Sequence, residues 1–271
     1  MRSTTANVLK SLKKRKKTST KGDNGKVLVI AGSEDYPGAA SLSAMAALAV
    51  LRSGADHVRV AAPSRVAWVV NTFAPDIITT KLSGKRFTAI HLKKVLKMSK
   101  EADVILIGPG IGNKSGSFIR SLTTVLTTAK KKIVLDADAN NAIDLKKIDN
   151  AIITPHRREF KTLLKNSRLT RSTLKKNLRN NIILLKGPVD EVISKSNTTH
   201  NRCGNSVMTK AGTGDVLAGL AAGFYAQSNA PEESARAAAY VNGKTGDYLL
   251  KKFGRTFTAS DIVANIHKIY K

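Results

Sequence analysis

From residue 26 onward, short runs of apolar residues alternate with longer segments in which apolar positions recur at helical spacing. Runs of two to five apolar residues are too short for helices and are typical of strands buried on both faces. Residues 41–52 and 93–99 show helical spacing and predict helices. Alternating strands and helices predict an α/β fold with a mostly parallel sheet. The predicted strands cover residues 27–31, 58–61, 104–107, 133–135, 152–153 and 182–185.

Most of the predicted strands end in a cluster of glycine, proline or polar residues. In an open parallel sheet, ligands bind beyond the carboxyl ends of the strands. We therefore expect these clusters to converge on one edge of one sheet. The clusters are Gly108-Pro109-Gly110, Asp136-Ala137-Asp138, Thr154-Pro155-His156 and Lys186-Gly187-Pro188.

The sharpest motif is the glycine-rich segment 210–215, which leads directly into a helical pattern of apolar residues. The free amides and the dipole at the start of a helix form an anion site, and glycines let a phosphate approach the backbone. Asp215 falls in the first turn of this predicted helix. It is either an ordinary cap or a proton acceptor for a hydroxyl group beside the phosphate.

The other candidate residues each allow two interpretations. Lys186 either binds a nucleotide phosphate or is a surface lysine in a turn. Asp136 and Asp138 either hold Mg²⁺, usually through water, or lie in a solvated turn. His156 either contacts a ligand phosphate or ribose, or begins a helix. Neither GxGxxG nor GxxxxGK[ST] occurs, so the Rossmann fingerprint and the P-loop are excluded.

Composition and charge narrow the choice of partner. With 271 residues, 42% of them hydrophobic, the chain is long enough to bury a large core. Its net charge of +27 attracts nucleic acid, anionic lipid and phosphorylated small molecules alike. Aromatic residues make up only 5%, which leaves few side chains for stacking on bases. Nucleic acid is therefore not the expected main partner.

The chain is expected to be a cytoplasmic protein with one domain and no membrane contact. It has a single cysteine, no apolar stretch of the kind found in signal peptides, and no run long enough to span a membrane. Residues 1–20 are rich in lysine and arginine, and we expect them to form a flexible basic arm or a short amphipathic helix. Residues 21–271 then form the domain.

Taken in order along the chain, these motifs resemble the NAD(P)H-hydrate dehydratase family. The chain departs from the usual family pattern at a few positions, where Thr20, Asn140, Asp190 and Ala211 stand. The resemblance implies a ribokinase-like fold, a three-layer α/β/α sandwich with a mostly parallel central sheet. It rests on residues 21–33, Pro37-Gly38-Ala39-Ala40, 108–112, 136–139, 154–156, Lys186-Gly187 and above all 211–219.

The resemblance also implies a role for each matching position. The hydrated dinucleotide would contact Ala39, Gly110, His156 and Asp215, and Asp215 would be catalytic. An anion hole would form from Gly212, Thr213 and Gly214, and Asp138 would bind a metal ion, directly or through water. The adenine nucleotide would contact Lys186, Gly187, Pro188, Val189, Asp190 and Gly214.

The activity implied is dehydration of the S epimer of NADHX and NADPHX, the hydrated forms of NADH and NADPH. ADP or ATP would phosphorylate the ring hydroxyl with Mg²⁺ as cofactor, and loss of phosphate would restore the double bond. We favour ADP, because the motifs are similar to those of the prokaryotic branch. The family further implies a homo-oligomer, with a tetramer favoured, and functional pairing with a separate NAD(P)HX epimerase.

Two alternatives remain open from the sequence. A small-molecule kinase of the same superfamily, acting on a vitamin precursor, would use the same Gly-Thr-Gly-Asp motif but leave a stable phosphorylated product. A basic nucleic-acid-binding protein would exploit the charge and show a steep dependence of binding on salt.

Overall fold

A ten-stranded sheet lies at the centre of the molecule in the computed structural model, which describes residues 2–36 and 38–270. Its order is β1-β10-β9-β8-β7-β6-β5-β2-β3-β4, and β9 alone among these strands runs antiparallel to its neighbours. The strands are β1 (Arg2–Ser3), β2 (Lys26–Ile30), β3 (His57–Pro63), β4 (Ile78–Leu82), β5 (Val104–Ile107), β6 (Lys132–Leu135), β7 (Ala151–Ile153), β8 (Ile182–Leu185), β9 (Asp190–Ile193) and β10 (Thr198–Asn201).

Helices cover both faces of the sheet, because successive strand residues point to opposite sides and both sets are apolar. In β5, Val104 and Leu106 join one buried cluster while Ile105 and Ile107 join the other. The helices are α1 (Asn7–Ser11), α2 (Ala39–Arg52), α3 (Ser64–Phe73), α4 (Leu92–Glu101), α5 (Gly116–Thr128), α6 (Asp138–Ala142), α7 (Arg157–Asn166), α8 (Arg171–Leu174), α9 (Thr213–Ala226), α10 (Pro231–Phe253) and α11 (Ala259–Asn265).

The first cluster holds residues from α2, α3, α9 and α10, and the second holds residues from α4, α5 and α7. This confirms the predicted three-layer sandwich. None of the helices in the described ranges combines the length and hydrophobicity that crossing a bilayer requires.

Helix α9 is buried along almost its whole length and packs tightly against α2. A methyl group on Gly219 would lie 2.2 Å from the carbonyl oxygen of Ala46, and one on Gly223 would lie 1.9 Å from Ser53 Oγ. Only glycine at these positions lets the two helices come so close. This packing fixes α9 and therefore the position of its first turn at the edge of the sheet.

The N-terminal segment differs from the flexible arm suggested by its charge. Strand β1 pairs with β10, and Val8 in α1 is only 2% exposed within the core. Leu9 and Leu12 pack against the same cluster, and Arg15 forms an ion pair of 2.8 Å with Asp56. Three apolar residues within five positions are enough to dock this segment, although lysines follow them.

Docking of this segment is tested by removing its buried side chain. We expect Val8→Ala to lower the free energy of unfolding by about 1–3 kcal/mol, because it removes two buried carbons and leaves a cavity. The control Lys10→Ala, on the exposed side of α1, should stay within about 0.5 kcal/mol of wild type. Urea unfolding curves measure both. A Val8→Ala variant as stable as the control would show that the segment is not docked in solution.

Candidate active site

The polar clusters that follow β6, β7 and β8 meet the N-terminus of α9 at the carboxyl edge of the sheet. These strands are parallel neighbours, so their ends lie side by side. His156 and Lys186 form an isolated parallel bridge just beyond β7 and β8, and the Lys186 amide donates to the carbonyl of Pro155 at 2.9 Å. The predicted convergence of these clusters is therefore confirmed.

The glycine-rich turn requires glycine at the residue that precedes α9. Gly212 has φ +90°, and a methyl group there would lie 2.5 Å from Met45 Cε. The Thr213 hydroxyl donates to the carbonyls of Met208 at 2.6 Å and Lys210 at 2.9 Å. The Thr213 amide also donates to the carbonyl of Lys210, at 3.4 Å, so both the side chain and the amide of Thr213 hold the turn together.

An ion pair between Lys186 and Asp136 lies at the centre of the site. Lys186 Nζ is 2.8 Å from Asp136 Oδ1, which also accepts a hydrogen bond of 2.7 Å from the Thr154 hydroxyl. Burial acts to lower the pKa of Lys186, but Asp136 and Glu159 together raise it above its ordinary value. Lys186 is therefore a fixed cation. It lies beside the turn, since a methyl group on Gly214 would be 3.2 Å from its Nζ.

Asp215 is a buried carboxyl group in the first turn of α9, with 9% of its surface exposed. Burial raises its pKa, the carboxylate of Asp136 raises it further, and Lys186 opposes both, which leaves the pKa at about 7. A carboxyl group with a pKa near neutrality is suited to accepting a proton at neutral pH. The N-cap position of α9 is held by Gly212 and not by Asp215, so the geometry favours the catalytic interpretation over that of an ordinary cap.

His156 begins α7, as one of its two interpretations expected. Its Nδ1 accepts hydrogen bonds from the amides of Arg158 at 3.0 Å and Glu159 at 3.3 Å. The Glu159 carboxylate in turn accepts from the His156 amide at 2.8 Å and from Asn140 Nδ2 at 3.3 Å. The other ring nitrogen, Nε2, lies 3.4 Å from Glu159 Oε1, but half of the His156 side chain, 51%, is exposed, so a ligand can still reach the ring.

The loop that follows β5 crosses the end of β6 very closely. A methyl group on Gly108, where φ is +136°, would lie 1.8 Å from the carbonyl oxygen of Asp136. Gly110 also has positive φ, at 60°, and Ala137 has φ +50°, which is unusual for a residue with a side chain. These backbone conformations let the loop pack directly against the Asp136–Asp138 turn. Unusual backbone conformations of this kind cluster at functional sites.

The Lys186–Asp190 segment forms a tight turn between β8 and β9. The Gly187 amide donates to Asp190 Oδ1 at 3.1 Å, and Asn201 Nδ2 donates to Asp190 Oδ2 at 3.2 Å. Burial raises the pKa of Asp190, against these two hydrogen bonds. Gly187 and Pro188 are exposed at the tip of the turn, and Val189 is half-buried.

One edge of the sheet thus holds the glycine turn, Asp215, Lys186 with its turn, and His156. Ala39 is the first residue of α2, but its side chain and the whole of Pro37 lie outside the described residues. From the sequence, Thr154 was expected only as part of a strand-end cluster, Glu159 only as the acidic residue of a His-x-x-Glu pair for which zinc was not expected, and Asp136 only in a pair with Asp138. The position of Thr154 at a strand end was the available signal, whereas the burial of Glu159 arises only from tertiary packing.

Among the residues that the structure describes, no group of three or more histidine, cysteine or acidic side chains is placed to hold a metal ion. Mg²⁺ in phosphate-handling sites is commonly held by one or two carboxylates together with substrate phosphates and water. Asp138 would supply only one carboxylate to such an ion. Burial raises its pKa, which works against the ionised form, and the Gly112 amide, which donates to the carboxyl group, opposes the rise.

The family model described as NAD(P)H-hydrate dehydratase matches residues 27–268. The chain belongs to this family. The ADP-dependent (S)-NAD(P)H-hydrate dehydratase of Cenarchaeum symbiosum is 36% identical over 274 residues, which cover 97% of this chain and 94% of that protein. The bifunctional NAD(P)H-hydrate repair enzyme of Methanothermobacter thermautotrophicus is 35% identical over 94% of this chain. The chain spans 51% of that enzyme, about half its length.

A solved structure shares the fold of this family member. The ADP/ATP-dependent NAD(P)H-hydrate dehydratase from Bacillus subtilis, co-crystallized with ATP/Mg²⁺, is 23% identical with a TM-score of 0.79, covering 100% of this chain and 99% of that one. The likeness confirms the ribokinase-like fold that the motifs implied.

The raised pKa of Asp215 has a consequence for stability. A carboxyl group with an ordinary value of 3.8 when unfolded and about 7 when folded destabilises the fold as it ionises. The contribution of this carboxyl group to the free energy of unfolding is therefore fully present below about pH 4 and is lost as the pH rises to about 7. Asp215→Asn should therefore match wild type near pH 4 and exceed it by on the order of 3 kcal/mol above pH 7.5.

Urea unfolding of both proteins from pH 4 to 8 measures this difference. Asparagine retains a helix-start side chain, so loss of a cap does not confuse the comparison. Equal stability of the two proteins at every pH would show that the carboxyl group has an ordinary pKa.

Proposed function

We propose that this protein dehydrates the S epimer of NADHX and NADPHX back to NADH and NADPH, using ADP in preference to ATP. The observation that carries the proposal is the buried Asp215 carboxyl, with a pKa of about 7, in the first turn of a helix that opens with glycine amides. Family membership and a relative named as ADP-dependent support the same activity.

The glycine turn and Lys186 would bind the phosphoryl group to be transferred. Amides in the first turn of α9 have no partner within the helix and, with the helix dipole, favour an anion. Lys186 Nζ adds a positive charge beside Gly214. The adenosine part would lie along the Lys186–Asp190 turn, with Gly187, Pro188 and Val189 at its tip.

Asp215 would accept the proton of the hydroxyl group on the hydrated nicotinamide ring. The hydroxyl oxygen then attacks the terminal phosphorus of ADP, and AMP leaves. The ring's carbon–oxygen bond breaks with loss of phosphate, and loss of a proton from the neighbouring carbon restores the double bond. The balance is NADHX plus ADP giving NADH, AMP and phosphate, and the oxygen of the eliminated hydroxyl leaves in the phosphate.

The remaining predicted residues would hold the substrate. Gly110 lies in the loop that follows β5 and Ala39 begins α2, and both would contact the dinucleotide together with the His156 ring. Mg²⁺, with Asp138 as a partial ligand, would neutralise the charge of the nucleotide phosphates when bound.

The wider setting is also proposed from the family. We expect a cytoplasmic homo-oligomer, with a tetramer favoured, that works with an NAD(P)HX epimerase supplying the S epimer. The bifunctional relatives, whose length is about twice that of this chain, support the pairing by their printed name. Nucleic acid is not expected as a partner.

The proposal is tested with Asp215→Asn. Asparagine keeps the size of the side chain but cannot accept a proton, and a general base is typically worth about 10²–10⁴-fold in rate. We expect the variant to lose about that factor in kcat while its Kd for ADP stays within about threefold of wild type. Recovery of absorbance at 340 nm measures turnover, and calorimetry measures ADP binding.

The products distinguish dehydration from kinase chemistry. Wild type should release one AMP and one free phosphate for each NADH formed. A stable phosphorylated product would instead support a small-molecule kinase, and an Asp215→Asn variant with wild-type turnover would make Asp215 a structural residue only.

A further inference from the structure

Two arginines lie beside the site, and no structural role explains why they stand there. Arg157 and Arg158 are the first two residues of α7 and are exposed. Neither forms an ion pair within the described part of the chain. Cations at the N-terminus of a helix are unfavourable, because the helix dipole places partial positive charge there. A residue whose charge is locally unfavourable, and which lies at the edge of a site, is often retained for function.

These arginines line a shallow cleft of about 440 Å³ together with His156, Lys186, Gly187 and Pro188. Four of the six lining residues are cationic or can become so, and none is acidic. The amides of Arg158 and Glu159 already bond to His156 Nδ1. The binding capacity of this cleft therefore lies in the two guanidinium groups and not in the start of the helix.

Guanidinium groups are suited to phosphate, since each presents a fork of donors to two oxygens. The cleft lies where His156, which would contact the dinucleotide, meets Lys186, Gly187 and Pro188, which would contact the donor nucleotide. Because it is shallow and open, it suits the end of a ligand better than its middle. A phosphate monoester carries about two negative charges near neutral pH, which matches two cations.

We propose that Arg157 and Arg158 bind the 2′-phosphate of NADPHX and so make the protein prefer NADPHX to NADHX. The two substrates differ only by this phosphate monoester. The inference rests on the proposed dehydratase function, and it names the preferred substrate of that same site. Arg157 and Arg158 are substrate-binding residues that take no part in proton transfer.

The test compares Arg157→Gln/Arg158→Gln with the matched control Lys161→Gln/Lys165→Gln. The control removes two exposed charges from the same helix at positions outside the cleft, so both variants have the same net charge. For each protein, kcat/KM is measured with NADPHX and with NADHX at fixed, saturating ADP.

Wild type and control should favour NADPHX by about tenfold, and the arginine variant should bring the ratio close to one. The loss should fall on NADPHX, while kcat/KM for NADHX stays within about twofold of wild type. Raising the salt concentration should shrink the wild-type preference, because both guanidinium groups are exposed.

A second readout does not require turnover. NADP⁺ and NAD⁺ differ by the same phosphate, so calorimetry should give wild type and control a lower Kd for NADP⁺, and the arginine variant nearly equal Kd values. Equal losses with both hydrates would place the arginines on the shared diphosphate, and a raised KM for ADP would place them on the donor. Either result overturns the inference. If neither hydrate is dehydrated by wild type, the proposed function itself fails.

Discussion

One ammonium group surrounded by three buried carboxyl groups determines the charge of the site. Lys186 Nζ lies 2.8 Å from Asp136 Oδ1, so the two charges neutralise each other. Asp215 and Glu159 lie in the field of Asp136 without a direct ion pair to Lys186, and burial raises the pKa of each. A single cation cannot hold all three carboxyl groups ionised. The site is therefore ready to accept a proton.

The fold brings these groups together through parallel strands. β6 ends just before Asp136, β7 just before Thr154 and β8 just before Lys186, so three side chains from distant parts of the chain share one edge. Helix α9 supplies Asp215 from across that edge, and its glycines hold it close to α2. A change in the packing of α9 would move Asp215 relative to Lys186 and change its pKa.

Much of this arrangement could be predicted from the sequence, because short apolar runs that end in polar clusters are typical of parallel strands whose carboxyl ends form a site. Strands β5 and β8 have the predicted bounds, and the glycine turn lies where its motif placed it. The β9–β10 hairpin was not predicted, since Thr198–Asn201 carries no apolar alternation. Burial of Glu159 and docking of residues 2–12 were also missed, because both depend on residues distant in the chain.

The pH dependence of kcat/KM for dehydration tests the central claim most directly, since it reports the pKa of the free enzyme's essential base. Measurements from pH 5 to 9 with ADP as donor should show activity rising tenfold per pH unit on the acid side and levelling off above an apparent pKa near 7. No loss of activity is expected from Lys186 up to pH 9, because its pKa is raised above the ordinary value and its ammonium group stays charged. A profile that is flat down to pH 5 would contradict the account, because Asp215 would then be an ordinary ionised carboxylate.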